Sequence, residues 1–323
     1  MTSSILVGKH PLFIALVAVL VLSGCQGGFN FGKREQPQNI GAFVGGTRGL
    51  EIGFADDEPP ASVLDNGQEE FFVTLIMKNL GEYTIPQGGV IGSLSGIVKN
   101  TFGLKSLDAK NSVEIFGVTK EGNNVIPGGE EFLEFGTASF SSDLPADTQF
   151  LLKADACYAY QTQAVATVCL RKNVLQKEIG DVCNINNAAL GEENSGAPMH
   201  VEGMKQSSVG TNKVKVTFKV VNKGIGAVYE PTTFTASCVG KEDQKNMVRV
   251  SVLSPSKSFT AECTQLGGGS IGVVKLINNQ KDVTCTIGTT GLQDVTFQDL
   301  FIVQLDYMYR ESIVTPLIVA NAQ

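Results

Sequence analysis

The stretch KVKVTFKVV, Lys213 to Val221, sets Val214, Val216, Phe218 and Val220 on one side and lysines on the other. Such alternation reads as a strand with one buried and one solvated face. The strongest strand of the first half, FFVTLIM, runs from Phe71 to Met77. The two regions align without a gap. Val73-Thr74-Leu75-Ile76-Met77-Lys78-Asn79-Leu80-Gly81 lies over Val216-Thr217-Phe218-Lys219-Val220-Val221-Asn222-Lys223-Gly224, and valine, threonine, asparagine and glycine coincide. Later, Tyr158-Ala159-Tyr160 matches Tyr307-Met308-Tyr309, and a strand-like segment follows each. Two matches in the same order, at offsets of 143 and 149, read as an internal duplication.

Working outward, the first half adds strand-like runs at Leu50–Phe54, Ile91–Val98, Val113–Val118, Phe132–Phe140, Phe150–Tyr160 and Ala164–Leu170. The second half adds Thr235–Val239, Val248–Leu253, Phe259–Cys263, Val273–Ile277, Val283–Ile287, Leu300–Tyr309 and Ile313–Val319. Gly, Asn and Pro punctuate them, as at Pro59-Pro60 and Pro127-Gly128-Gly129. Only Val174–Val182 suggests a short helix. Without helices to cover a sheet, two sheets must cover each other. The expected fold is all-β: two tandem immunoglobulin-like β-sandwich domains, residues 48–172 and 198–323, joined by a connection at 173–197.

The N-terminus carries one basic residue, Lys9, then an apolar run from Leu12 to Leu22, then Leu22-Ser23-Gly24-Cys25. This is the pattern of a secretory signal peptide ending at a small-residue cleavage site. The cysteine at the cut resembles a lipoprotein signal, which implies a signal at 1–24 and lipid on Cys25. The alternative is a retained anchor, although the apolar run is about half of what a bilayer span needs. Residues 25–47 are rich in Gly, Gln and Asn and read as a flexible spacer with a reach of about 25 Å. The expected location is the extracellular face of the cell membrane, with the membrane a partner through the lipid.

Loss of the leader leaves 24 basic and 32 acidic residues, a formal charge of −8. That balance argues against nucleic acid as a partner. Beyond Cys25, six cysteines remain: Cys157, Cys169, Cys183, Cys238, Cys263 and Cys285. An even number in a secreted chain points to three disulfides. Gln161-Thr162-Gln163-Ala164 looks like a hairpin end, which favours Cys157–Cys169; Cys183 is the alternative partner for either. Elimination then gives Cys263–Cys285 and Cys183–Cys238. No C-x2-C occurs and the mature chain has one histidine, His200, so zinc chemistry and a catalytic triad find no support.

Gly49-Leu50 with Pro59-Pro60, Asn79-x-Gly81-Glu82, Leu94-Ser95-Gly96-Ile97 and Cys157-Tyr158-x-Tyr160-x-Thr162 together resemble secreted, mostly archaeal proteins with tandem Ig-like domains, whose function is generally unassigned. The Asn-x-Gly after an apolar strand is also similar to CARDB-type adhesion modules. The resemblance covers most of residues 48–320 and implies a fold, not an active site.

Other features carry weaker signals. Asp56, Asp57 and Glu58 are oxygen ligands for a calcium ion if another loop joins them, and otherwise a solvated turn. Tyr158, Tyr160, Tyr307 and Tyr309 read as a packed corner with bonded hydroxyls. Gly267-Gly268-Gly269-Ser270 lacks the lysine of a phosphate loop, and no Asn-x-Ser/Thr sequon occurs. The expectation is a non-enzymatic, lipid-anchored structural or adhesive protein without cofactors. It acts on an unknown surface protein or on itself. The alternatives are a ligand-capturing lipoprotein, which needs a pocket between the halves with convergent polar groups, and, behind it, a hydrolase.

Overall fold

A computed structural model describes residues 41–176, 182–186 and 188–322. The signal sequence, Cys25 and most of the spacer lie outside these residues, as does most of the helix expected at 174–182. The first half contributes β1 (Leu50–Phe54), β2 (Ser62–Leu64), β3 (Phe71–Asn79), β4 (Val90–Ser95), β5 (Asp108–Lys110), β6 (Thr119–Glu121), β7 (Asn124–Ile126), β8 (Glu130–Ala138) and β9 (Thr148–Leu170). The second contributes β10 (Ala188–Ala189), β11 (Glu193–Asn194), β12 (Met199–Val209), β13 (Lys213–Asn222), β14 (Ala227–Tyr229), β15 (Met247–Leu253), β16 (Ala261–Cys263), β17 (Ile271–Lys275), β18 (Gln280–Gly288) and β19 (Phe297–Ala320). The chain is all-β, and its sheets pack face to face.

One sheet runs through both halves. Its path is β17-β15-β19-β9-β4-β5, with β11, β14 and β2 at its flanks. Two smaller sheets lie over one face of it, β1-β3-β8 in the first half and β10-β12-β13-β18-β16 in the second. Phe218 of β13 meets Phe301 of β19 at 6.3 Å between ring centres. In the first half, Leu133 of β8 closes so tightly over Gly92 of β4 that a Cβ there would sit 2.3 Å from Leu133 Cδ2.

The long sheet exists because β9 and β19 pair from Phe297↔Leu170 to Val319↔Thr148. Each keeps one phase throughout. Leu152, Ala154, Ala156, Tyr158, Tyr160, Thr162, Ala164, Ala166, Val168 and Leu170 are all buried on one side of β9. Phe301, Val303, Leu305, Tyr307, Tyr309, Leu317 and Val319 do the same for β19.

The consequence is an exchange of strands. Residues 148–160 lie beside β4 and the C-terminal part of β19, whereas 161–170 lie beside 297–306, of which 302–306 in turn pair with β15. The last residues of β19, 318–320, run parallel to β2 of the first half. Each half is thus completed by a strand end arriving from the other.

This corrects the hairpin expected at 161–164. Those residues contain no Gly, Asn or Pro to turn the chain, and Thr162 and Ala164 keep the inward phase. The segment Ala164–Leu170 therefore joins the second half's side of the sheet, and Leu300–Tyr309 and Ile313–Val319 are likewise one strand. Val113–Val118 holds only an isolated bridge, Ile85↔Ile115, and Thr235–Val239 forms no strand.

The seam shows the match between the halves at atomic level. Asn79 Oδ1 accepts the Tyr160 hydroxyl at 2.9 Å and the Gly81 amide at 3.2 Å, while Asn79 Nδ2 donates to the Tyr83 carbonyl at 2.7 Å. Asn222 Oδ1 accepts the Tyr309 hydroxyl at 3.1 Å and the Gly224 amide at 3.2 Å, while its Nδ2 donates to the Gly226 carbonyl at 3.0 Å. The glycine of each Asn-x-Gly is required by the approach of the tyrosine. A Cβ on Gly81 would lie 2.2 Å from the Tyr160 hydroxyl, and one on Gly224 2.3 Å from that of Tyr309.

The four tyrosine rings form a block, with centroids 5.7 to 6.4 Å apart. Burial, above all, pushes all four hydroxyls above the usual tyrosine value. Tyr158 donates to Glu311 at 3.1 Å; at the equivalent place Tyr307 meets Thr162 Oγ1 at 3.0 Å. These packed corners with bonded hydroxyls match the sequence reading of the tyrosines.

Candidate functional site

The outer face of the long sheet, away from the two smaller sheets, is where side chains of opposite phase emerge. Ile91 of β4, Cys157 and Ala159 of β9 and Met308 of β19 make an apolar floor. The segment 230–240, which follows β14, crosses above it. Phe234 in this segment packs on Tyr229 at 4.8 Å between ring centres. Three ties hold the segment down. Cys238 is bonded to Cys157, the Cys238 amide donates to Ser93 Oγ at 3.0 Å, and Lys110 Nζ donates to the Thr235 carbonyl at 2.9 Å.

Between floor and roof lies a cavity of about 370 Å³. Its walls include Tyr83, Gly88, Gly89, Ile91 and Lys110 from the first half and Pro231, Thr232, Phe234 and Thr235 from the second. Thr232 adopts φ = 75°, a left-handed conformation in which a β-branched residue is strained. Strain of this kind collects at ligand clamps.

One end of the cavity is polar. Asp306 of β19 lines it, and its carboxylate accepts from Gln161 Nε2 at 2.8 Å and from Gln304 Nε2 at 3.0 and 3.1 Å. A second cavity of about 300 Å³ shares Tyr83 with it and is lined also by Phe43, Lys120, Gln161 and Ser195. At its edge Glu82 accepts the amides of Val44 and Gly45 at 3.0 Å and of Gly196 at 2.5 Å, pinning the N-terminal segment to the β11–β12 connection.

All six candidate cysteines are bonded, as Cys157–Cys238, Cys169–Cys183 and Cys263–Cys285. The pairing Cys263–Cys285 agrees with the sequence reading. The pairings Cys157–Cys169 and Cys183–Cys238 do not form; Cys169–Cys183 is the alternative in which Cys183 takes one of the two. Cys157 and Cys169 lie twelve residues apart on one continuous strand, about 40 Å at strand rise, so no hairpin brings them together.

Asp56, Asp57 and Glu58 form a tight turn, with Asp57 at φ = 58° and a bridge from Ala55 to Glu58. Among the described residues no three His, Cys, Asp or Glu side chains are grouped to hold a metal. His200 Nε2 lies 3.0 Å from the Gly46 carbonyl. Among the described residues no helix is long and apolar enough to cross a membrane.

Sequence reasoning missed Asp306, Lys110 and the 231–235 segment. One signal was available. Cys157 has the opposite phase to the buried Tyr158 and Tyr160, so a disulfide there requires something to cover the outer face.

Comparison with known proteins adds little. No family model matches the chain, and no curated protein is similar to it. Among solved structures, the secreted serine protease VesC from Vibrio cholerae aligns over 80% of this chain and 50% of its own, at 10% identity and a TM-score of 0.18. The chain therefore spans about half the length of that protease, and an overlap this poor carries no argument about fold or activity.

Proposed function

We propose that this is a non-enzymatic surface protein, lipid-anchored through Cys25 on the extracellular face, which works by contact with another protein or with its own copies. The observation that carries this reading is the outer face of the β1-β3-β8 sheet. Phe72 is 56% exposed and Phe132 54%, with half-buried Ile76 paired to Phe132 in register. At the equivalent places of the second half stand Lys215 for Phe72 and Lys219 for Ile76. Among the described residues, the far edge of β8 pairs with no strand. Exposed apolar surface beside an open strand edge is the usual material of protein contacts. The resemblance to adhesion-type modules supports the same reading, as does the signal-like N-terminus.

The test uses mature chain carrying Cys25→Ser, so that no lipid is attached, and measures mass by light scattering over a concentration series. Growth in mass that disappears in a Phe72→Lys, Phe132→Lys variant is the expected result for self-association. A strict monomer at high concentration would overturn self-association, and crosslinking on cells with the same variant pair then tests a heterologous partner.

A second reading, capture of a small ligand, is favoured by one observation. The 370 Å³ cavity is lined from both halves and has an apolar body with a few polar groups, the usual make-up of a binding site.

A further inference from the structure

We infer that the cavity under residues 230–240 binds a small molecule with an apolar body and a primary ammonium group, which pairs with Asp306. The inference rests on the ligand-capture reading and names the ligand's chemistry.

The apolar part follows from the floor. Ile91, Ala159 and Met308 present hydrocarbon and a thioether, and Phe234 and Pro231 supply the facing surface. The charged part follows from how the two ionic groups in the wall are already engaged. Lys110 donates to the Thr235 carbonyl and so serves the roof. Among the described residues Asp306 is met only by neutral amides, those of Gln161 and Gln304. Arg249 stands opposite Asp306 in the β15–β19 register but is exposed, and no ion pair joins them. Arg310, one step along β19, is directed over the Tyr229 ring at 5.2 Å. Among the described residues the cavity therefore offers a carboxylate with spare acceptor sites and no cationic partner. The two glutamines orient it, and an ammonium group is the donor that also meets its charge.

The roof selects for size. The Cys157–Cys238 bond fixes segment 230–240 over the floor, and the volume suits a single ring with a short chain.

The experiment titrates the mature, oxidised Cys25→Ser chain by calorimetry with three probes of one shape: 2-phenylethylamine, 2-phenylethanol and 3-phenylpropionate. The amine is expected to bind about tenfold or more tighter than the alcohol, the usual scale for a hydrogen bond to a charged group, and the acid weakest. Asp306→Asn, which keeps shape and loses charge, should erase the amine's advantage and leave the alcohol unchanged. Ala159→Phe, which fills the floor, should abolish binding of all three, with circular dichroism confirming the fold. Equal binding of amine and alcohol, still removed by Ala159→Phe, would overturn the ammonium assignment and leave the ligand-capture reading standing. Tightest binding by the acid would have the same meaning and point to Lys110. No saturable binding by any probe would overturn both.

Discussion

Asn79 with Tyr160 in the first half, and Asn222 with Tyr309 in the second, make the same bonds to a tyrosine hydroxyl, to the amide two residues on and to the carbonyl four residues on. The sheets built on these corners differ. The second half's outer sheet has five strands, and Cys263–Cys285 ties its edge strand β16 to β18. Its outer face carries Lys213, Lys215 and Lys219. Among the described residues the first half's outer sheet has three strands, an open edge at β8 bearing Glu130, Glu131 and Glu134, and phenylalanines on its face. The two halves share what holds the seam, where each buried group depends on several others. They differ on their outer faces, and the contact face proposed above belongs to the half with the smaller outer sheet.

The largest expected effect tests whether the halves are independent at all. Thr162 sits where β9 passes from one half to the other, and its hydroxyl donates to the Met199 carbonyl at 2.8 Å. Thr162→Pro removes that bond and a ladder hydrogen bond at the centre of the sheet, and each buried group left unpaired costs about 1–3 kcal/mol. Because each half is completed by the other's strand, hydrogen exchange should show β3 and β13 amides losing protection together. Loss confined to one half would mean that the exchanged strands are dispensable and that each half stands alone.

The next effect measures the two corners against each other. Asn79 is fully buried and bonds a second carbonyl, Ile115, at 3.2 Å, whereas Asn222 is partly exposed. Each buried group left unpaired costs about 1–3 kcal/mol, and water can replace part of what Asn222 supplies. Urea unfolding should therefore give a larger loss for Asn79→Ala, about 3 kcal/mol, than for Asn222→Ala, about half of that. Equal losses would mean that exposure at the second corner is without energetic consequence.

Much of the frame was legible in the sequence. Alternation located β1 and β13, short apolar runs located β3, β15 and β18, and the Asn-x-Gly and Tyr-x-Tyr matches located the corners that the structure joins. The path between them was not legible by counting turns. The break read at 161–164 rested on polar residues, but Gln161 and Gln163 are polar because they face outward, where Gln161 bonds Asp306. Phase was the better guide, since from Leu152 to Leu170 the inward positions never slip. The cavity was harder to see, because its roof is a loop without periodicity, held by a disulfide between residues 81 apart in sequence.

The smallest effect concerns a further place where the seam departs from its own symmetry. With the offset of 149, Tyr158 corresponds to Tyr307 and Glu311 to Thr162, so a carboxylate stands on one side where a hydroxyl stands on the other. Burial, and to a lesser degree the neighbouring Glu51 charge, raises the Glu311 carboxyl above its ordinary value, against the Tyr158 hydrogen bond and Arg48, which pull it down. Below the unfolded carboxyl range the group is protonated in both states and favours neither. As pH rises through the raised folded value, the native state must ionise a buried group, and stability falls. Glu311→Gln keeps an acceptor for Tyr158 and removes the charge. Thermal melts of variant and parent should coincide near pH 3.5, below the ordinary glutamate value, and separate toward neutral pH with the variant more stable by about 1 kcal/mol or less. A variant less stable at neutral pH would show that the ionised Glu311 holds Tyr158 more firmly than a neutral acceptor can, making the asymmetry of the seam a source of strength.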